Sequence, residues 1–211
     1  MEFMLLCVSA LLLTARAATA SSAVLDVDGN ELQRGQRYYA MSSRTIGGGL
    51  TTVAIKGTCP LYVSQAPLHD RLGSSLSFVP EDLNEDTVRE GNTLYIMFNE
   101  TPAAQCSEST MWTLDNEGGY VTTGGTNSTS LGPHYSRFAI RKVGNLVPDY
   151  QVHPCPCSIG VPRPSCRMAC LGSLGFTREG NNVLLGLNGD RAHSVVFVKE
   201  EALAAATASI R

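Results

Sequence analysis

The sequence predicts an all-β domain. Short apolar runs recur about every ten residues with turn formers between them, the spacing expected of a sandwich or barrel. Several of those runs alternate in character from one residue to the next, as a half-buried strand does. Twenty glycines and ten prolines in 211 residues supply the turns, and a content of 43% hydrophobic and 17% charged residues is that of a packed globule, clear of the disordered class. No linker rich in proline, serine or charge divides the interior, so one domain over residues 21–202 is expected.

Val24 to Leu32 reads as an extended segment turning at Asp28-Gly29. Tyr38, Tyr39 and Met41 form an aromatic strand. Gly47-Gly48-Gly49 turns the chain, because glycine admits backbone angles that a side chain forbids. Leu50 to Ile55 follows, then Cys59 to Gln65, in which Leu61 and Val63 point one way and Tyr62 and Ser64 the other. Cys59 opens that run, so a covalent tie there would anchor the sheet. Pro67, Asp70 and Gly73 mark a connecting turn, and Leu76 and Phe78 lead into a break at Pro80.

Residues 80–87 form a strongly acidic loop with one apolar tip, Leu83. Thr93 to Phe98, Met111 to Leu114 (which holds the only tryptophan, Trp112) and Tyr120 to Thr123 read as strands. Phe138 to Val143 and Tyr150 to Val152 precede a cysteine-rich loop over 155–170. Leu174 to Phe176, Val183 to Leu187 and Ser194 to Val198 complete the set, and residues 203–211 read as a frayed tail.

A net charge of −3 leaves no basic surplus for phosphates, so nucleic acid is not an expected partner. Met4 to Leu13 is an apolar run too short to span a bilayer, and Ala15, Ala17, Ala18 and Ala20 follow it. Residues 1–20 therefore read as a secretory signal, cut after Ala17 or Ala20, with no membrane anchor and an extracellular or vacuolar destination. Removing Cys7 with the signal leaves Cys59, Cys106, Cys155, Cys157, Cys166 and Cys170. An even number in a secreted chain reads as disulfides, with the pairing left open. A zinc site at the last four is the weaker alternative, since Cys-x-Cys is an unusual zinc spacing. Asn99 and Asn127 each head a glycosylation sequon.

No nucleophile elbow, zincin helix or phosphate loop is present. His69, His134, His153 and His193 read as surface residues at loops or strand ends. Neither an enzyme nor a cofactor is expected.

The ordered residues Val24-Leu25-Asp26, Asp28-Gly29-Asn30, Tyr38-Tyr39, the triple glycine and Cys59-Pro60-Leu61-Tyr62-Val63-Ser64-Gln65 resemble the plant Kunitz family of the soybean-trypsin-inhibitor type. Cys106 with Trp112-Thr113-Leu114-Asp115, Arg137 to Lys142, Tyr150-Gln151-Val152, Cys155-Pro156, Leu171 to Gly175 and Val195 to Lys199 continue the match in family order. In detail it is most similar to the cereal α-amylase/subtilisin inhibitors. The resemblance implies a β-trefoil of twelve strands with pseudo-threefold symmetry, stapled by disulfides, and inhibition of serine endopeptidases by a monomer. It also implies the pairs Cys59–Cys106, Cys155–Cys170 and a nested Cys157–Cys166.

Inhibitors of this kind hold one loop extended so that a protease binds it like substrate. Aligning back from Glu90-Gly91 and Tyr95 to Phe98 places the scissile bond near Asn84–Glu85, within the window Asp82, Leu83, Asn84, Glu85 and Asp86. No lysine or arginine falls there, so a trypsin pocket would go unpaired. Like-charge repulsion from Glu81, Asp82, Glu85 and Asp86 would weaken it further, and Leu83 suits the apolar pocket of a subtilisin- or chymotrypsin-like enzyme. Where the family commonly braces this loop with an asparagine, this chain has Arg34, expected to hold it by pairing with the acidic side chains. An α-amylase partner, or a non-inhibitory storage or defence role, is the alternative on the same scaffold.

Overall fold

The computed structural model describes residues 21–43, 47–100, 106–115, 119–127, 135–144, 148–156, 170–187, 189 and 191–208. Residues 1–20, expected to be a signal, and Cys157, Cys166, His134 and the third residues of both sequons lie outside them.

The alternating runs become β1 (Tyr38–Ser42), β2 (Leu50–Val53), β3 (Tyr62–Gln65), β4 (Leu76–Pro80), β5 (Thr93–Phe98), β6 (Thr113–Leu114), β7 (Val121–Thr122), β8 (Phe138–Lys142), β9 (Tyr150–Pro154), β10 (Gly175–Glu179), β11 (Asn182–Gly186) and β12 (Ser194–Lys199). Six of these close into a barrel in the order β1-β12-β9-β8-β5-β4. The other six form three hairpins, β2–β3, β6–β7 and β10–β11, joined where β3 pairs with both β7 and β11. The chain thus runs three times through the same course of barrel strand, hairpin and barrel strand. This is the β-trefoil, with a barrel that has no free edge for a neighbouring chain to extend.

Rings fill the interior. Tyr38, Phe78, Phe98, Trp112, Phe138, Tyr150 and Phe197 are all essentially buried. They meet edge-on or tilted rather than stacked, as ring quadrupoles prefer: Phe78 and Phe197 lie 5.3 Å apart between centroids, and Trp112 touches Phe98 at 5.6 Å and Phe138 at 5.9 Å. Two tyrosine hydroxyls reach out of this core to the first segment. Tyr150 Oη accepts the Leu25 N–H at 2.9 Å, and Tyr38 Oη accepts that of Gln33 at 3.0 Å. Residues 24–33 are thereby fixed to the barrel.

β11 covers the end of β3 that carries Ser64, whose hydroxyl donates to the Val183 carbonyl at 3.0 Å. Two expectations need correction. His193 is not a surface residue but is 8% exposed, with its ring 4.3 Å from that of Phe176. The tail is not frayed from Leu203, because α1 spans Glu200–Ala208. Alanine favours helix, and Glu200 and Glu201 in the first turn suit the positive end of the helix dipole. Glu200 also accepts the Tyr39 hydroxyl at 3.1 Å, which ties the first turn to β1.

Disulfides join Cys59 to Cys106 and Cys155 to Cys170, as the resemblance implies. The second uses two of the four cysteines a zinc site would need. The loop between β3 and β4 packs its main chain closely against the glycine run. Gly49 N–H donates to the Arg71 carbonyl at 2.8 Å, and a Cβ on Gly49 would stand 2.2 Å from the Leu72 carbonyl oxygen.

Candidate functional site

The acidic loop leaves β4 at Pro80 and returns to β5 at Thr93. Val88 is fully buried, its N–H donating to the Leu32 carbonyl and its carbonyl accepting from Val24, each at 2.8 Å. Gln33 bridges Thr87 in the same antiparallel sense. The first segment therefore forms the floor on which residues 82–88 rest. That floor is where the sequence places Arg34.

Arg34 N–H donates to the Asp86 carbonyl at 2.7 Å. Its guanidinium turns under the loop: Nη2 donates to the Asp82 carbonyl at 2.8 Å and also to that of Glu85, which Nε reaches at 3.2 Å. The expected charge pairing is the minor part, a 3.4 Å contact with an Asp86 carboxylate that is 84% exposed. Arg34 supports the loop chiefly through main-chain oxygens. Those two oxygens lie on either side of the Asn84–Glu85 bond.

Residues 82–85 make a tight turn rather than an extended strand. Asp82 is the cause: its Oδ1 accepts both the main-chain N–H and the side-chain amide of Asn84, at 3.0 and 3.2 Å. A short acidic side chain that bonds two residues ahead favours this geometry. The Glu85 N–H closes the turn onto the Asp82 carbonyl at 3.2 Å. Leu83 stands at its tip, 79% exposed.

The four acidic side chains do not act as one charge. Glu85 pairs with Arg89 at 2.9 Å, and the hydrogen bond from that guanidinium holds its carboxyl below the usual range. Glu81 turns inward, where Oε1 meets Arg137 Nη2 at 2.8 Å and Oε2 accepts the Thr93 hydroxyl at 2.8 Å. The repulsion expected of Glu81 and Glu85 is thus largely neutralised within the molecule. Between the turn and β5 lies a cavity of about 260 Å³, bounded by Asp82, Glu85, Arg89, Asn92 and Thr93 among others.

Nothing in the sequence pointed to Arg137 as a loop partner, since it sits beside an apolar run and its contact with Glu81 lies far away in sequence. Arg89 lies only four residues from Glu85, and that spacing of opposite charges was the available signal. The sequons diverge: the Asn99 amide donates inward to Ser75 Oγ at 3.2 Å, whereas Asn127 is exposed. The described histidines, His69, His153 and His193, lie on separate elements. His193 is pushed down to about 4 by burial, His153 is lowered by burial, and His69 is exposed. Among the described residues no group of side chains is arranged to hold a metal ion, and no helix is long and apolar enough to cross a membrane.

Comparison with known proteins gives this loop its context. Residues 24–199 match the Kunitz legume family model, described as trypsin and protease inhibitor. A trypsin/chymotrypsin inhibitor of Alocasia macrorrhizos is 59% identical over 179 residues, covering 83% of this chain and 96% of that protein. The crystal structure of Alocasin, a protease inhibitor from giant taro, superposes with a TM-score of 0.76 at 59% identity, covering 85% of this chain and 99% of that one. The rice bifunctional α-amylase/subtilisin inhibitor follows at 0.66 and 30%, covering 85% and 99%. Its fold, its disulfides and its match over nearly all of the described chain show that the protein belongs to the Kunitz family of trypsin and protease inhibitors.

Proposed function

We propose that this chain inhibits serine endopeptidases with an apolar specificity pocket, of the subtilisin or chymotrypsin type, by presenting residues 82–86 from a secreted monomer. The observation that carries the reading is Leu83, 79% exposed on a turn whose main chain is held from below by Arg34. Burying a leucine in an apolar pocket is favourable by roughly 2 kcal/mol. The held main chain lowers the ordering cost of association, which is where a short loop gains affinity. With Leu83 in the pocket the bond engaged is Leu83–Asn84, and guanidinium bonds to the Asp82 and Glu85 carbonyls on either side of it hold the main chain in position.

Trypsin is the poorer target. Its pocket needs a cation, and the window offers only Asp82, Leu83, Asn84, Glu85 and Asp86. The related inhibitor from Alocasia is named for both trypsin and chymotrypsin, so the two enzymes are the informative pair. Inhibition constants against trypsin, chymotrypsin, subtilisin and α-amylase test the reading. Chymotrypsin or subtilisin should be inhibited at least tenfold more tightly than trypsin, a gap of about 1.4 kcal/mol. Leu83→Ala should weaken that inhibition by about 30-fold, a hot-spot loss of roughly 2 kcal/mol. Four uninhibited enzymes at micromolar protein would favour a storage or defence role, and inhibition of amylase alone would move the partner to that enzyme.

A further inference from the structure

We propose that Arg137 is a positioning residue for the inhibitory loop, acting on it through Glu81. The inference rests on the inhibitory reading of residues 82–86 and adds a second support, placed at the loop's entry rather than beneath its tip.

Glu81 is the hinge between scaffold and loop, following Pro80 at the end of β4 and preceding the exposed turn. Every polar group it can spare is engaged inward. Its N–H donates to the Thr93 carbonyl at 2.9 Å, Oε2 accepts the Thr93 hydroxyl, and Oε1 faces Arg137 Nη2 at 2.8 Å. Swinging the Glu81 side chain outward would break the last two, so its inward seat helps to set the direction in which the chain leaves β4.

Arg137 is fixed in turn. Its side chain is 2% exposed, and its carbonyl accepts the N–H of Cys155, which is bonded to Cys170. The contact with Glu81 is ionic rather than a well-aligned hydrogen bond, and Nε has no hydrogen-bond partner among the described residues. A buried ion pair is a poor source of stability, and apolar residues of similar volume in place of both partners would serve the core as well. What an apolar residue could not do is hold the Glu81 carboxylate in place. The arrangement fits a part whose role is orientation.

The test uses the full mature chain with Glu81→Gln, Arg137→Met and the double variant. Glutamine keeps an oxygen for Thr93 but gives up the charge pair. Three quantities are measured: inhibition of the protease best inhibited by the wild type, the melting temperature, and the cleavage pattern under thermolysin, a metalloprotease outside the proposed target class. Positioning predicts inhibition weakened by about tenfold in each single variant and no further in the double. It also predicts faster thermolysin cleavage confined to residues 82–86. A role in stability alone would instead lower the melting temperature and quicken cleavage throughout the chain. Unchanged inhibition and cleavage in Glu81→Gln would overturn the proposal, even if Arg137→Met failed to fold. If the wild type inhibits no protease, the functional reading fails by itself, and cleavage at 82–86 still decides whether Arg137 orients the segment.

Discussion

Two exposed loops flank β4, and they are held by different means. The loop before it, residues 66–73, presses its main chain onto a glycine run: Gly49 donates to Arg71, and Gly73 lies where a Cβ would stand 2.3 Å from the Leu50 carbonyl oxygen. The loop after it, residues 81–87, adds side-chain supports to its main-chain bonds with Arg34 and Thr93, the Arg34 guanidinium from below and the Glu81 carboxylate at its entry. A main-chain clamp works by the absence of atoms and tolerates almost no substitution. A side-chain clamp works by reach, and here it stands beside a cavity between the turn and β5. The first loop can be disturbed only by disturbing the fold, whereas the second can be loosened while the barrel stands.

The largest effect should come from the first loop. Gly49→Ala would force its methyl against the Leu72 carbonyl and should cost roughly 3 kcal/mol, read as a lowered midpoint in urea. A neutral outcome would mean that the glycine run is not a clamp.

Acid gives an effect of similar size, but in the scaffold. His193 has a folded value of about 4 against an ordinary 6.5, set by burial and only partly opposed by Asp149. The unfolded chain therefore binds the extra proton first. The contribution is complete above pH 6.5 and falls away toward pH 4, by up to about 3 kcal/mol. Denaturant titrations across that range should show the slope, and His193→Phe should flatten it. In the acidic loop, Glu85 has its carboxyl lowered by Arg89, so its contribution persists above the usual carboxylate range and fades only below it. Between pH 6.5 and 5 the scaffold should weaken while the loop stays held.

The smallest stability change should come from the second loop. Arg34→Ala removes guanidinium bonds to two carbonyls from a side chain that is 24% exposed. It should cost about 1 kcal/mol, yet raise proteolysis at 82–86 by about tenfold, followed by mass spectrometry. Comparable losses in stability and in resistance would erase the contrast between the loops.

The same contrast explains what the sequence revealed. Aromatic and apolar runs announced β1, β5, β8 and β12 because each sends buried side chains into the ring-filled interior, and glycine announced the first loop because its clamp is a residue type. The second clamp is a set of distances. Arg34 could be placed by alignment, but its preference for carbonyls over carboxylates depends on how Asp82 turns the chain. Arg137 reads as an ordinary residue before an apolar run, and only closure of the barrel brings it to Glu81. The helix at Glu200 was missed because alanines at a chain end look slack until Tyr39 and Arg37 are seen to take hold of the first turn.

The Cys59–Cys106 bridge brackets the acidic loop in the sequence. A protease that succeeded in hydrolysing a bond between Asp82 and Asp86 would produce two polypeptides but only one molecule, sulfur-linked and interleaved around the same ring of strands. Such a nicked form would travel as a single band without reductant and as two with it, and its severed ends would remain neighbours, ready to be rejoined.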